Sequence, residues 1–82
     1  MKFVADAMLG KLARWLRIIG QDVIYSVQFS DSELLKLAKT EERVLLTRDF
    51  ELYKRAITRS LDSFYVEGKT ESERLAEVGG AL

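Results

Sequence analysis

Eighty-two residues carry 48% hydrophobic and 32% charged side chains, and thirteen basic groups cancel thirteen acidic ones. That length holds one domain, residues 1–82, which buries roughly 60–65% of its unfolded surface, and the balance excludes a disordered chain. Zero net charge offers no argument for a nucleic-acid partner, and no apolar run approaches the roughly 20 residues of a membrane helix.

The acid at the sixth position of Met1-Lys2-Phe3-Val4-Ala5-Asp6 argues against a signal peptide. The chain contains no Cys and no His. Disulfides, thiol nucleophiles, zinc–thiolate sites, imidazole bases and histidine metal ligands are therefore excluded. A Cys-free chain leans towards a reducing compartment, so a cytoplasmic location is expected. Any catalysis must come from carboxylates, hydroxyls, Lys, Arg or Tyr. Any metal must be hard and oxygen-liking, such as Mg²⁺ or Mn²⁺.

The pattern alternates between two periods along the chain. Lys2–Ala5 reads as a strand ending at Asp6. Met8–Ile19 follows helical spacing, with Leu9, Leu12, Ala13, Leu16 and Ile19 on one face and Gly20 as the stop. Val23–Tyr25 is a second strand. Ser30-Asp31-Ser32-Glu33 opens a second helix whose apolar face is Leu34, Leu35, Leu37 and Ala38. Arg43–Thr47 is a buried strand. Asp49–Thr58 is a third helix, with Phe50, Tyr53 and Ile57 on one side. Ser63–Val66 is a fourth strand, and Thr70–Val78 a last helix frayed by Gly79-Gly80.

The order βαβαβαβα predicts an α/β fold: a small four-stranded parallel sheet with helices on both faces. The strand order expected is 2-1-3-4, with a switch point between strands one and three. Ligands bind such sheets outside the carboxyl ends of the strands, at that switch.

Asp6 and Asp49 stand at this place. On neighbouring strands their carboxylates would be about one strand spacing apart, ~5 Å. Two unpaired carboxylates that close repel unless a proton or a cation lies between them. The plainer reading is that each Asp caps the helix that follows. Asn in either place would then cap as well. In a metal site, Asn is expected to leave stability unchanged or slightly raised. Asp31 reaches the same edge, whereas Glu33 is already employed in the Ser30-x-x-Glu33 capping box. The first helix carries Lys11, Arg14 and Arg17 and no acid, which suits a phosphate backbone or simply a solvated face. Trp15 and Ile18 lie off its leucine stripe; Trp15 suits stacking on a base, but packing beneath a neighbouring element or a second subunit is the favoured expectation, making a homodimer or larger homo-oligomer.

The string from Asp6 to Arg17, then Gly20-x-Asp22-Val23, then Asp31-x-x-Leu34-x-x-Leu37-Ala38, then Arg43 to Asp49, resembles the PIN-like RNase domain. The subgroup is the one named after the C-terminal domain of the Mut-7 exonuclease. The resemblance runs from Lys2 to about Val78. Relatives often continue into a cysteine-rich zinc ribbon, and this chain has no Cys. The resemblance implies a metal-dependent ribonuclease with RNA as partner. Its acidic positions fall on Asp6, Asp31 and Asp49, which it implies as catalytic and metal-binding groups. Its small hydroxyl falls on Thr47, expected to orient a carboxylate. Its basic positions fall on Lys11, Arg14 and Arg17, and Arg48 is expected to join them on phosphate. The alternatives are a catalytically inactive interaction or regulatory module, toxin-like in character, and a phospho-acceptor receiver. The receiver needs a fifth strand bearing a Lys.

Overall fold

Four short segments form the strands of the computed structural model, which describes residues 1–82: β1 (Lys2–Ala5), β2 (Asp22–Tyr25), β3 (Val44–Thr47) and β4 (Ser63–Tyr65). They alternate with α1 (Gly10–Ile18), α2 (Asp31–Thr40), α3 (Phe50–Thr58) and α4 (Glu71–Gly80). All pairings are parallel and the order is β2-β1-β3-β4, as the alternation predicts. Val4 faces Ile24 on one side and Leu45 on the other, so β1 and β3 are the central strands.

Period-two alternation sorts the strand residues onto two faces. Phe3, Ala5, Val23 and Leu46 join Leu9, Leu12, Leu16 and Val78 in one core, beneath α1 and α4. Val4 and Leu45 point the other way and join Leu34, Leu35, Ala38, Leu52 and Ala56 from α2 and α3. The sheet is therefore covered on both faces, which is why Phe3–Ala5 and Val44–Leu46 of its inner strands are apolar throughout.

Two sequence expectations are corrected. The first helix does not run unbroken from Met8 to Ile19: a 3-10 turn at Ala7–Leu9 precedes α1, because Asp6 caps that turn through the Met8 N–H. Ile19 falls at the cap position and is exposed. In α3 the buried side is Leu52 and Ala56, while Phe50 and Ile57 on the other side are exposed. The Asp49 cap fixes the helical phase, and residues four apart share the sheet-facing side. Finally, α4 continues through Gly79-Gly80 instead of fraying before them.

Three helices end in the same way. After α1, Gly20 N–H bonds to Arg17 O and Gln21 N–H to Leu16 O, the paired bonds of a Schellman end. Gly20 takes φ +92, where L side chains are disfavoured. After α2 and α3 the equivalent left-handed residues are Glu42 (φ 52) and Ser60 (φ 59). Arg43 N–H then reaches Ala38 O, and Leu61 N–H reaches Ala56 O.

Arg43 is the polar group buried at the amino edge, 7% exposed. Its Nη1 donates to Phe3 O (3.1 Å), Asp22 O (3.3 Å) and Asp22 Oδ1 (2.9 Å), and its Nε donates to Glu41 Oε1 (3.0 Å). One guanidinium thus ties the starts of β1, β2 and β3. Burial works against its charge, but the hydrogen bonds to Asp22 and Glu41 outweigh that and raise its pKa. The hydrogen bond from Arg43 is also the main reason that the Asp22 carboxyl is held below its ordinary value of 3.8. Burial opposes the shift, and the charges of Arg43, Lys2 and the N-terminus assist it.

Two outcomes are expected. Because the Asp22 pKa is depressed on folding, its contribution is complete above about pH 4 and lost as pH falls below that, through the lowered value. Asp22→Asn should therefore flatten the acid limb of a Tm-against-pH series, and Arg43→Ala should cost about 2–3 kcal/mol at neutral pH. Glu42→Gly and Ser60→Gly should each raise stability by about 0.5–1 kcal/mol in urea denaturation, by relieving the left-handed backbone.

Candidate active site at the carboxyl edge of the sheet

Where β1 ends, Asp6 is only 6% exposed and every acceptor bond it makes is short-range or crosses to β3. Oδ1 accepts the Met8 N–H at 3.0 Å. Oδ2 accepts the Thr47 hydroxyl at 2.5 Å and the Arg48 N–H at 3.1 Å. Thr47 is fully buried, and its oxygen in turn accepts the Asp49 N–H at 3.0 Å. One hydroxyl therefore joins the carboxylate that ends β1 to the backbone of the acid that follows β3.

Asp49 caps α3: Oδ1 accepts the N–H groups of Glu51 (3.0 Å) and Leu52 (3.3 Å). Its Oδ2 accepts none from the chain. Asp31 opens α2, and its Oδ2 lies 3.6 Å from Arg55 Nη1, with the side chain half-exposed. The capping box beside it forms as expected, and the Ser30 backbone and hydroxyl hold the Glu33 carboxyl below its ordinary range. Glu33 is thus committed to the helix end.

Asp6, Asp31 and Asp49 all line one cavity of about 140 Å³, with Phe29, Leu34 and Leu52 among the apolar walls. As the side chains stand, no three acids approach closely enough to share one ion. The donor set is nonetheless all carboxylate, with a free oxygen on Asp49 and a loosely paired one on Asp31. This suits Mg²⁺ or Mn²⁺, which are held through one or two carboxylates and keep several waters.

The basic residues divide. Lys11 and Arg14 are exposed on α1 and make no ion pair or hydrogen bond in the chain. Arg17 is tied by its Nε to Val23 O at 2.9 Å. The Arg48 guanidinium donates to Gly68 O and is half-buried. Lys11 and Arg14 are therefore the cations at liberty to meet a phosphate. Trp15 and Ile18 are exposed, so no element of the chain packs over them.

A model of the Mut7-C RNAse domain matches residues 1–82, the whole chain. The chain belongs to the Mut7-C RNAse domain family. No curated protein and no solved structure matches it.

Several supports of this Mut7-C domain's site are not signalled in its sequence. Arg55 meets Asp31 across two helices far apart in sequence. Tyr25, at the end of β2, donates its hydroxyl to Ala7 O at 3.0 Å and holds the turn beyond Asp6. Gly10 makes room for that ring: a Cβ there would lie 2.8 Å from the Tyr25 oxygen.

The hydrogen-bond inventory revises the expectation that Asn is neutral at either acid. Asp49 caps through one oxygen, so Asp49→Asn should change stability by less than about 0.5 kcal/mol. Asp6 accepts through both oxygens, and an amide nitrogen cannot accept. Asp6→Asn should cost about 1–3 kcal/mol in chemical denaturation. Thr47→Val should cost about 1–2 kcal/mol and Thr47→Ser much less, because Ser keeps the bridging hydroxyl.

Proposed function

We propose that this Mut7-C RNAse domain is a metal-dependent ribonuclease that hydrolyses RNA phosphodiester bonds in the Asp6–Asp31–Asp49 cavity with Mg²⁺ or Mn²⁺. The observation that carries the reading is the convergence of three carboxylates, from three separate strand–helix junctions, on one cavity at the switch point of the sheet.

Asp49 Oδ2 and the Asp31 carboxylate are the groups with acceptor capacity left to hold the ion, and Asp6 Oδ1 retains one lone pair towards the same cavity. When bound, such an ion supplies a more acidic water and stabilises charge on the leaving oxygen. Thr47 fixes the Asp6 carboxylate and the Asp49 backbone together, so the two acids are positioned before substrate arrives. Lys11 and Arg14 neutralise phosphates flanking the scissile one. With no His or Cys in the chain, clustered carboxylates alone are weak bases at neutral pH, which is why a metal enters the reading.

A second reading, an inactive module that kept the fold, is favoured by the Asp31–Arg55 pair and the spread of the acids. One assay separates the two. Single-stranded RNA should be cut in Mn²⁺ or Mg²⁺ and spared in EDTA, and Asp49→Asn should abolish cutting while keeping wild-type stability. Lys11→Ala or Arg14→Ala should reduce the salt slope of RNA binding by roughly one per lost phosphate contact. Cutting that survives both EDTA and Asp49→Asn marks a contaminating nuclease. RNA binding without metal-dependent cutting on any substrate selects the module.

A further inference from the structure

Immediately after Asp49, the chain places an aromatic ring where the core has no use for it. Phe50 is the first residue of α3 and 51% exposed, while the sheet-facing side of that helix is filled by Leu52 and Ala56. Its ring centroid lies 5.5 Å from that of Tyr65, edge-on at 76°, and 6.1 Å from that of Tyr53. Tyr53 and Tyr65 are themselves 5.7 Å apart. Tyr65 ends β4 and is paired in register with Thr47, the residue that bridges Asp6 and Asp49. The three rings and Glu67 line an open cleft of about 340 Å³. Such volumes belong to small-ligand clefts, about 300–1,000 Å³.

We infer that this cleft is a nucleobase site, in which one unpaired base of a single-stranded RNA stacks on Phe50, with Tyr65 bordering it, while the adjoining phosphate lies at the carboxylate cavity. The inference rests on the ribonuclease reading for the polarity of that arrangement. Three features of the cleft favour a base as its occupant. Aromatic faces accept any base by stacking. The Tyr53 and Tyr65 hydroxyls make no hydrogen bond within the chain, so they are free to meet a base edge. The Glu67 carboxylate makes no ion pair or hydrogen bond within the chain; it repels a phosphate and accepts from the exocyclic amino group of a base. Lys54 Nζ stands 5.6 Å from the Phe50 ring centroid and 3.7 Å from Glu51, a cation near the cleft for the backbone of a stacked nucleotide. Asp49 lines the carboxylate cavity and its neighbour Phe50 lines the cleft, so the two sites lie next to one another along the chain.

The test is fluorescence anisotropy with two labelled ribo-oligonucleotides of equal length, one with bases and one abasic, measured in EDTA so that neither is cut. Equal phosphate counts cancel the electrostatic contribution. The wild-type chain should bind the base-bearing strand about tenfold or more tightly than the abasic one. Phe50→Ala should erase that preference. Phe50→Leu should erase it too, because leucine fills the space without offering a π face, and Tyr65→Phe should keep most of it. Phe50 is half-exposed, and circular dichroism should show both Phe50 variants folded. Equal binding of the two strands by the wild type overturns the base site, as does a preference that survives in both Phe50 variants. A chain that cuts RNA yet shows no preference keeps the ribonuclease reading and loses the base site. A chain that prefers bases yet cuts nothing with Mg²⁺ or Mn²⁺ keeps the base site and loses the ribonuclease reading.

Discussion

A carboxylate at 6% exposure must be met by hydrogen bonds or it costs more than a short domain can spare, and Asp6 is met by three. Two of these come from the last residue of β3 and the one after it, so satisfying one buried charge also joins the two central strands at their carboxyl ends. The rest of the site hangs on that joint. Thr47 is oriented by giving its proton to Asp6, and only in that orientation does its oxygen accept the Asp49 N–H. Asp49 then caps α3 with one oxygen and keeps the other for the cavity. Removing Asp6 would therefore disturb a turn, a strand pair and a helix cap together.

The opposite edge is built from the complementary chemistry. There a cation, Arg43, collects the carbonyls of Phe3 and Asp22, with carboxylates from Asp22 and Glu41 closing the network. Between the two polar edges lie only apolar residues, divided by the sheet into two cores. This division of labour leaves the amino edge to stability and the carboxyl edge to the proposed chemistry. The cavity and the free Asp49 oxygen lie on the second, and the aromatic cleft runs along β4 towards it.

Much of this was legible from residue order. The switch from period two to period 3.6 after Ala5 and after Thr47 marked Asp6 and Asp49 as junction acids, and alternation of elements dictated the sheet order. Gly20 announced its helix end because glycine advertises a left-handed backbone. Glu42 and Ser60 adopt the same backbone without that signature, so two equivalent ends went unmarked. Arg43 read as the polar flank of an apolar strand, since nothing local shows that its partners are the starts of two other strands. Phe50, Tyr53 and Ile57 share one side of α3, but spacing alone does not show that Leu52 and Ala56 are the residues that face the sheet. The cluster of Phe50, Tyr53 and Tyr65 forms only when β4 is laid beside β3. Arg55 meets Asp31 across sequence-distant helices, which no periodicity reports.

The bracketing of β1 has a geometric corollary. Its backbone is pinned at Phe3 by the Arg43 guanidinium and just past Ala5 by the Asp6 carboxylate, so the distance between the two pins acts as a gauge of strand length. A strand that slipped or gained one residue would turn every side chain to the wrong face and miss both pins at once. Length can change only outside the gauge, in the segments that join strands to helices. In this fold the carboxyl-edge loops among them have that room and also carry the acids of the proposed site.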